Sequence, residues 1–159
     1  MIVTIDALFS SSNKIGGKII AYGTAHLAPN VKEKVSHTAL LVNKRWVHES
    51  TGKTGVQVVS YDKWCKTHKE VDRVSLGLKE YQDIADVFRH IKGKKYDYMG
   101  ILYFVFAIIP TFFGVELPDI NEWQSFDKYF CSEVLGEFTG YYYGMSAPIQ
   151  ILDQLRNDT

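Results

Sequence analysis

The sequence predicts a single α+β domain spanning residues 1–159, an antiparallel β-sheet packed against helices. Three observations predict it. Short runs with strand-like apolar patterning follow one another closely through the first half of the chain. The separators at Asn43-Lys44 and between Gly52 and Gly55 are short enough to join antiparallel neighbours. Apolar residues at helical spacing then dominate the second half.

Residues 1–9 alternate well enough for a first strand. Ser10 to Asn13 offers helix-capping side chains, and Ile15, Ile19, Ile20 and Tyr22 space like one helix face closed by Gly23. A loop is expected over 24–34, then a strand over 35–42. Asn43-Lys44 is a two-residue turn, and 45–50 returns as the second strand of a hairpin. Further strands are expected at 56–59 and 71–76, with a short helix or turn at 61–67 between them. Residues 79–91 form an amphipathic helix with Tyr81, Ile84, Ala85, Phe88 and Ile91 on one face, ended by Gly93. An apolar helix over 99–113 ends near Pro110. Another helix runs over 130–138, with Phe130, Val134 and Phe138 four residues apart. Residues 140–147 form a loop, and Pro148 suits the first turn of a last helix.

The 159 residues carry 18 basic and 18 acidic side chains, so the formal net charge is zero. Residues 1–80 hold 12 basic and 7 acidic residues, and residues 81–159 hold 6 and 11. A neutral chain without a basic run interleaved with aromatics is not expected to bind nucleic acid. Two cysteines, Cys65 and Cys131, are too few for a disulfide scaffold or a structural zinc site. A single Cys65–Cys131 bridge stays open. The N-terminus shows no secretory pattern, and the expectation is a cytoplasmic protein. Residues 98–115 are 18 uncharged positions, the lower limit for a membrane span. Pro110 interrupts them and no basic cluster anchors them, so membrane contact is not favoured. The segment is expected to pack on the sheet in preference to lining a site for an acyl chain.

One histidine on an early strand, one acid on the next and one cysteine opening a late helix could carry chemistry. His37 shares its strand face with Val35, Ala39 and Leu41, which turns the imidazole inward, where it needs a partner. The hairpin brings Glu49 within about two residues of it, where a carboxylate could orient the ring and stabilise its charge. A thiol in the first helical turn, as at Cys131, feels the positive end of the macrodipole, which lowers its pKa. Taken singly, each has an ordinary structural reading: a core cysteine, a hydrogen-bonded strand histidine, a hairpin charge. Cys131 lies 94 positions from His37 and 82 from Glu49, so spacing does not bring them together.

The pattern around these residues resembles the circularly permuted NlpC/P60 cysteine hydrolases, the permuted papain-like group with the YiiX/YaeF-like proteins. The lecithin:retinol acyltransferase family shares that layout. The resemblance is carried by Ser36-His37-Thr38-Ala39-Leu40-Leu41-Val42, Val47-His48-Glu49-Ser50, Gly55-Val56 and Lys95-Tyr96-Asp97-Tyr98. It continues through Tyr129-Phe130-Cys131-Ser132-Glu133-Val134-Leu135 and Ser146-Ala147-Pro148, covering about residues 10–152. It implies a permuted papain-like fold with Cys131 as nucleophile, His37 as general base and Glu49 as third member. His48 is the rival for that third role, and Tyr22 or Tyr129 would line the oxyanion region. Glu133 would serve structure. The Gly-Asp pair often found near the family's first strand is replaced by Thr4-Ile5-Asp6.

The expected activity is that of a thiol hydrolase of the amidase or peptidase type, working through a thioester without cofactor or metal. The substrate would be a small molecule, a peptide or a lipid-like acyl compound. Two alternatives use the same scaffold: a lipid-directed acyl hydrolase or acyltransferase, and a non-enzymatic binding protein. Apolar side chains from 99–113 bordering the Cys131 cleft would mark the first. Misplaced His37 and Cys131, or a cleft blocked by Tyr141 to Tyr143, would mark the second. A metal site built from His26, His37, His48 and His68 is disfavoured, because no His-x₃-His or Cys-x₂-Cys pair is present.

Overall fold

The computed structural model describes residues 1–12, 15–118, 120, 122–123, 125, 127–141 and 145–158. Asn13, Tyr142 and Tyr143, which figure in the sequence reading, lie outside them. Among the described residues, strands β1 (Ile2–Ser11), β2 (His37–Val42), β3 (Trp46–Thr51), β4 (Gly55–Ser60) and β5 (Lys69–Glu80) form one antiparallel sheet. Its order is β4-β3-β2-β1-β5. The helices are α1 (Ile15–Gly23), α2 (Tyr61–Cys65), α3 (Tyr81–Ile91), α4 (Tyr98–Ile108), α5 (Cys131–Thr139) and α6 (Pro148–Asn157). The fold is α+β.

The hairpin between β2 and β3 sets the register on which the site depends. Asn43 and Lys44 take φ values of 51° and 55°. The expected two-residue turn is corrected: Val42 pairs with Trp46, so the loop holds three residues, 43–45, and β3 starts at Trp46. The register is Leu40↔His48, Leu41↔Val47 and Val42↔Trp46. Alternation then puts His37, Ala39 and Leu41 on one sheet face with Val47 and Glu49, and Leu40, Val42 and His48 on the other.

Each face has its own core. Ile5, Ala7, Phe9, Leu40 and Val42 pack with Val134 and Leu135 of α5 and with Ile151 and Leu152 of α6. Leu8, Ala39, Leu41 and Val47 pack with Trp64 of α2. Residues 5–10 of β1 are all buried, because this strand has neighbours on both edges and a core on both faces. At β4, Gly55 sits at φ +69°, and a Cβ there would meet the Lys94 carbonyl oxygen at 2.2 Å. That carbonyl accepts the Val56 N–H, so the tip of the second hairpin is clamped to the end of α3.

Several expectations are corrected. β5 extends from 69 to 80, beyond the expected 71–76, because it pairs with β1 from Ser11↔Lys69 to Ile2↔Glu80. Its partner sets its length, and α3 therefore starts at Tyr81. The large side chains of α1 do not form a buried face: Ile15, Ile19 and Tyr22 are exposed and only Ala21 is buried. The helix lies close over Ser12 and Ser36 through Gly17, whose missing Cβ would stand 2.5 Å from the Ser12 Cβ. Gly17 and Ala21 face inward, Ile20 is half-buried, and Ile15, Ile19 and Tyr22 are exposed.

The apolar segment forms α4 followed by a 3₁₀ turn over Ile109–Phe113, with Pro110 at the junction. The Asp97 carboxylate caps α4 by accepting the Gly100 N–H at 2.9 Å. Only Gly100, Phe104 and Ile108 of α4 are buried, while Met99, Leu102 and Phe106 are exposed. No helix among the described residues is long and apolar enough to cross a membrane.

Candidate active site

His37 opens β2 and Glu49 lies near the end of β3, on the same face of the sheet. The imidazole Nε2 is 2.9 Å from Glu49 Oε2. The carboxylate is 1% exposed and accepts two further hydrogen bonds, from Gln57 Nε2 to Oε1 at 2.8 Å and from Trp64 Nε1 to Oε2 at 3.1 Å. Burial alone would push the Glu49 carboxyl up. His37, His68 and Gln57 outweigh it and hold the group below its ordinary range. An ionised carboxylate only accepts, so His37 Nε2 carries the hydrogen and Nδ1 is the nitrogen left for another partner.

His37 also interacts with the Cys131 thiol. Burial works against a charge on His37, but interactions with Cys131 and Glu49 raise its pKa to about 10. Burial likewise opposes ionisation of Cys131. Interaction with His37, with the Thr38 backbone, holds the thiol below its usual value. Cys131 is the first residue of α5, which packs across β2 and β3. The helix start is fixed by Glu133, whose Oε2 reaches back to accept the Phe130 N–H at 2.8 Å. The structural role expected for Glu133 is this contact.

Cys131 is 4% exposed and forms part of the wall of an apolar cleft. Ile19 and Ile20 of α1 line one part of it, and Ile101, Phe104, Val105 and Ile108 of α4 another. The apolar segment, expected to pack in preference to lining a site, does pack, and it also borders the cleft. Phe104 and Ile108 join the core, and the same stretch of helix also borders the nucleophile. Neither Tyr22 nor Tyr129 is among the lining residues. Tyr22 is exposed, with the Lys34 ammonium 4.9 Å above its ring. The Tyr129 hydroxyl donates to Glu137 at 3.1 Å. Tyr141 is exposed.

His48 lies on the opposite face from Glu49. Its ring meets Phe88 and Phe138 edge-on, at 4.7 and 5.4 Å. Burial lowers its pKa to about 4, so it is neutral at physiological pH. The four histidines of the metal alternative do not gather. His26 bonds Thr111 and stacks on Phe112, while His48 sits between phenylalanines. His37, Glu49 and His68 do place ligand-type atoms within 4.8 Å of one another. The His37 and His68 rings are stacked, however, 5.0 Å apart and 22° from parallel. In-plane lone pairs of stacked rings do not converge on one ion, and within the trio only His37 and Glu49 are joined by a hydrogen bond. Cys65 is exposed and Cys131 buried, with no disulfide between them.

The sequence reading missed Gln57 and Trp64. Gln57 stands directly opposite Glu49 because the loop holds three residues, 52–54, and pairs Thr51 with Gly55; a turn bracketed by Gly52 and Gly55 would have set Val58 there. Trp64 carried no signal, because α2 has only five residues. Tyr96 was also missed. Burial and the nearby Cys131 charge hold its phenol well above the ordinary range.

No family model and no curated protein matches the chain.

Proposed function

We propose that the chain is a thiol hydrolase of the amidase or peptidase type on a permuted papain-like, NlpC/P60 layout, with Cys131 as nucleophile, His37 as general base and Glu49 as third member. What supports this reading is the His37 imidazole, hydrogen-bonded to a buried carboxylate and interacting electrostatically with a thiol at a helix N-terminus. The Cys131 thiolate adds to the substrate carbonyl, and first-turn N–H groups of α5 face the oxyanion. The His37 imidazolium gives its proton to the leaving amine as the C–N bond breaks, leaving a thioester. Water, deprotonated by the now neutral imidazole, hydrolyses the thioester and regenerates the pair.

Alkylation of Cys131 by iodoacetamide across pH 4–9, in a Cys65→Ser background, tests the reading. Fast labelling is expected to persist below pH 6. His37→Ala is expected to restore an ordinary thiol profile centred near pH ~8.5. Labelling of the unmodified site that rises only near that pH would leave a binding protein as the better reading.

A lipid-directed acyl hydrolase or acyltransferase is the second reading, favoured by the apolar lining from α1 and α4. Each buried methylene contributes up to about 0.8 kcal/mol. p-Nitrophenyl octanoate is therefore expected to exceed the acetate in kcat/KM at least tenfold. Val105→Trp, which fills the cleft, is expected to remove that preference while sparing the acetate. Equal kcat/KM for the two esters would exclude an acyl-chain site there.

A further inference from the structure

We propose that His68 is a positioning residue for the catalytic imidazole, covering one face of the His37 ring and fixing the plane in which that ring meets both Glu49 and Cys131. The proposal rests on the reading of His37 and Cys131 as an imidazolium–thiolate pair. The 2.9 Å bond from Nε2 to Glu49 fixes one atom of the ring. It does not fix rotation of the ring plane, and the terminal torsion of a histidine is broad. A stacked neighbour supplies that restraint.

His68 is held for this role from its other side. Its ring lies 4.8 Å from the Trp64 ring and 8° from parallel, then 5.0 Å and 22° from His37. Tyr61 stacks on the far side of Trp64 at 6.1 Å. Trp64 is 1% exposed, and its indole N–H is donated to the same Glu49 oxygen that His37 uses. The stack is thus anchored to the carboxylate at two rungs. His68 itself follows α2, with its backbone N–H donated to the Trp64 carbonyl at 3.0 Å. The four-residue spacing carried past the helix end keeps the two rings on one side. His68 Nε2 stands 3.8 Å from Glu49 Oε2, too far for a hydrogen bond. Stacking, and not a fourth bond to the carboxylate, is its means of action.

The test is the pH profile of Cys131 alkylation in His68→Ala, His68→Phe and His68→Gln, each in the Cys65→Ser background, with thermal melts alongside. His68→Ala is expected to label about tenfold more slowly at pH 6, with the acid limb moved up about one unit. His68→Phe keeps a ring to stack and is expected to stay within about threefold of the parent. His68→Gln is polar but has no ring, and is expected to follow Ala; it supplies the comparison if Ala does not fold. A parental profile in the ring-less variants overturns the proposal. So does a Phe variant as impaired as Ala or Gln, which would assign the effect to charge. A parent that already labels like an ordinary thiol refutes the underlying imidazolium–thiolate reading, and with it this role; an acid-shifted parent isolates the His68 comparison.

Discussion

Glu49→Ala is expected to be among the most damaging substitutions in the protein, lowering stability by roughly 3–5 kcal/mol and the midpoint of thermal unfolding by roughly 10 °C for a chain of this size. The side chain is fully enclosed, and three donors point at it from Gln57, Trp64 and His37. Truncation leaves all three without an acceptor in a site that water does not readily reach. Glu49→Gln separates the site's chemistry from its packing. It keeps the shape and one acceptor oxygen but removes the charge that supports His37. The acid limb of Cys131 labelling is expected to rise by at least one pH unit in this variant, even where a melting curve shows it folded. An unchanged limb in folded Glu49→Gln would show that the carboxylate does not sustain the imidazolium. The signs for the parent protein follow from the same contacts. His37 is raised to about 10, so its contribution is complete below its unfolded value of about 6.5 and is lost as pH rises through 10. Glu49 is lowered, so its contribution is present above its unfolded value and is lost as pH falls through the folded one.

The parts of the fold legible in the sequence are those specified by local chemistry. Asn43-Lys44 marks the place of the turn but not its length: a two-residue turn would put His37 on the face of His48, and the third loop residue, Arg45, is what puts His37 and Glu49 on one face of the sheet. Pro148 marks the start of α6, and Gly93 and Gly140 follow α3 and α5 with left-handed φ values of 77° and 79°. What depends on a distant partner was not legible. The full length of β5 comes from β1, and the inward side of α1 comes from a close approach that Gly17 permits. The meeting of Cys131 with His37 is of this second kind. Nothing within either segment specifies it, because α5 reaches β2 only through the packing of Val134 and Leu135 on the sheet. The aromatic stack on Glu49 was hidden for a further reason. α2 is too short to show a period, and Trp64 reads as an ordinary core residue until its indole N–H is followed to the carboxylate.

Glu133→Gln is expected to stabilise the protein, by an amount that grows with pH. Burial is the main cause that raises the Glu133 carboxyl to about 8, with the Asp97 and Cys131 charges adding to it against the Phe130 N–H bond. Its Oε2 accepts that N–H, while Oε1 is buried with no hydrogen-bond partner among the described residues. The folded pKa thus lies above the unfolded one of about 4.5. The folded state holds a proton that the unfolded state has released, and stability falls as pH rises from about 4.5 to about 8. Glutamine keeps the acceptor for Phe130 and has no proton to lose. Urea unfolding at pH 5 and pH 8.5 should show a small difference between the two proteins at the lower pH. At the higher pH the gap is expected to reach the order of a few kcal/mol in favour of glutamine. A gap that does not widen would mean that Glu133 is ionised in the folded protein without penalty. The protonated form also suits the proposed chemistry, because it keeps a second negative charge away from the Cys131 thiolate at neutral pH. Glu133→Gln is accordingly expected to leave Cys131 labelling at pH 6 unchanged, which sets it apart from His37→Ala, Glu49→Gln and the ring-less variants of His68.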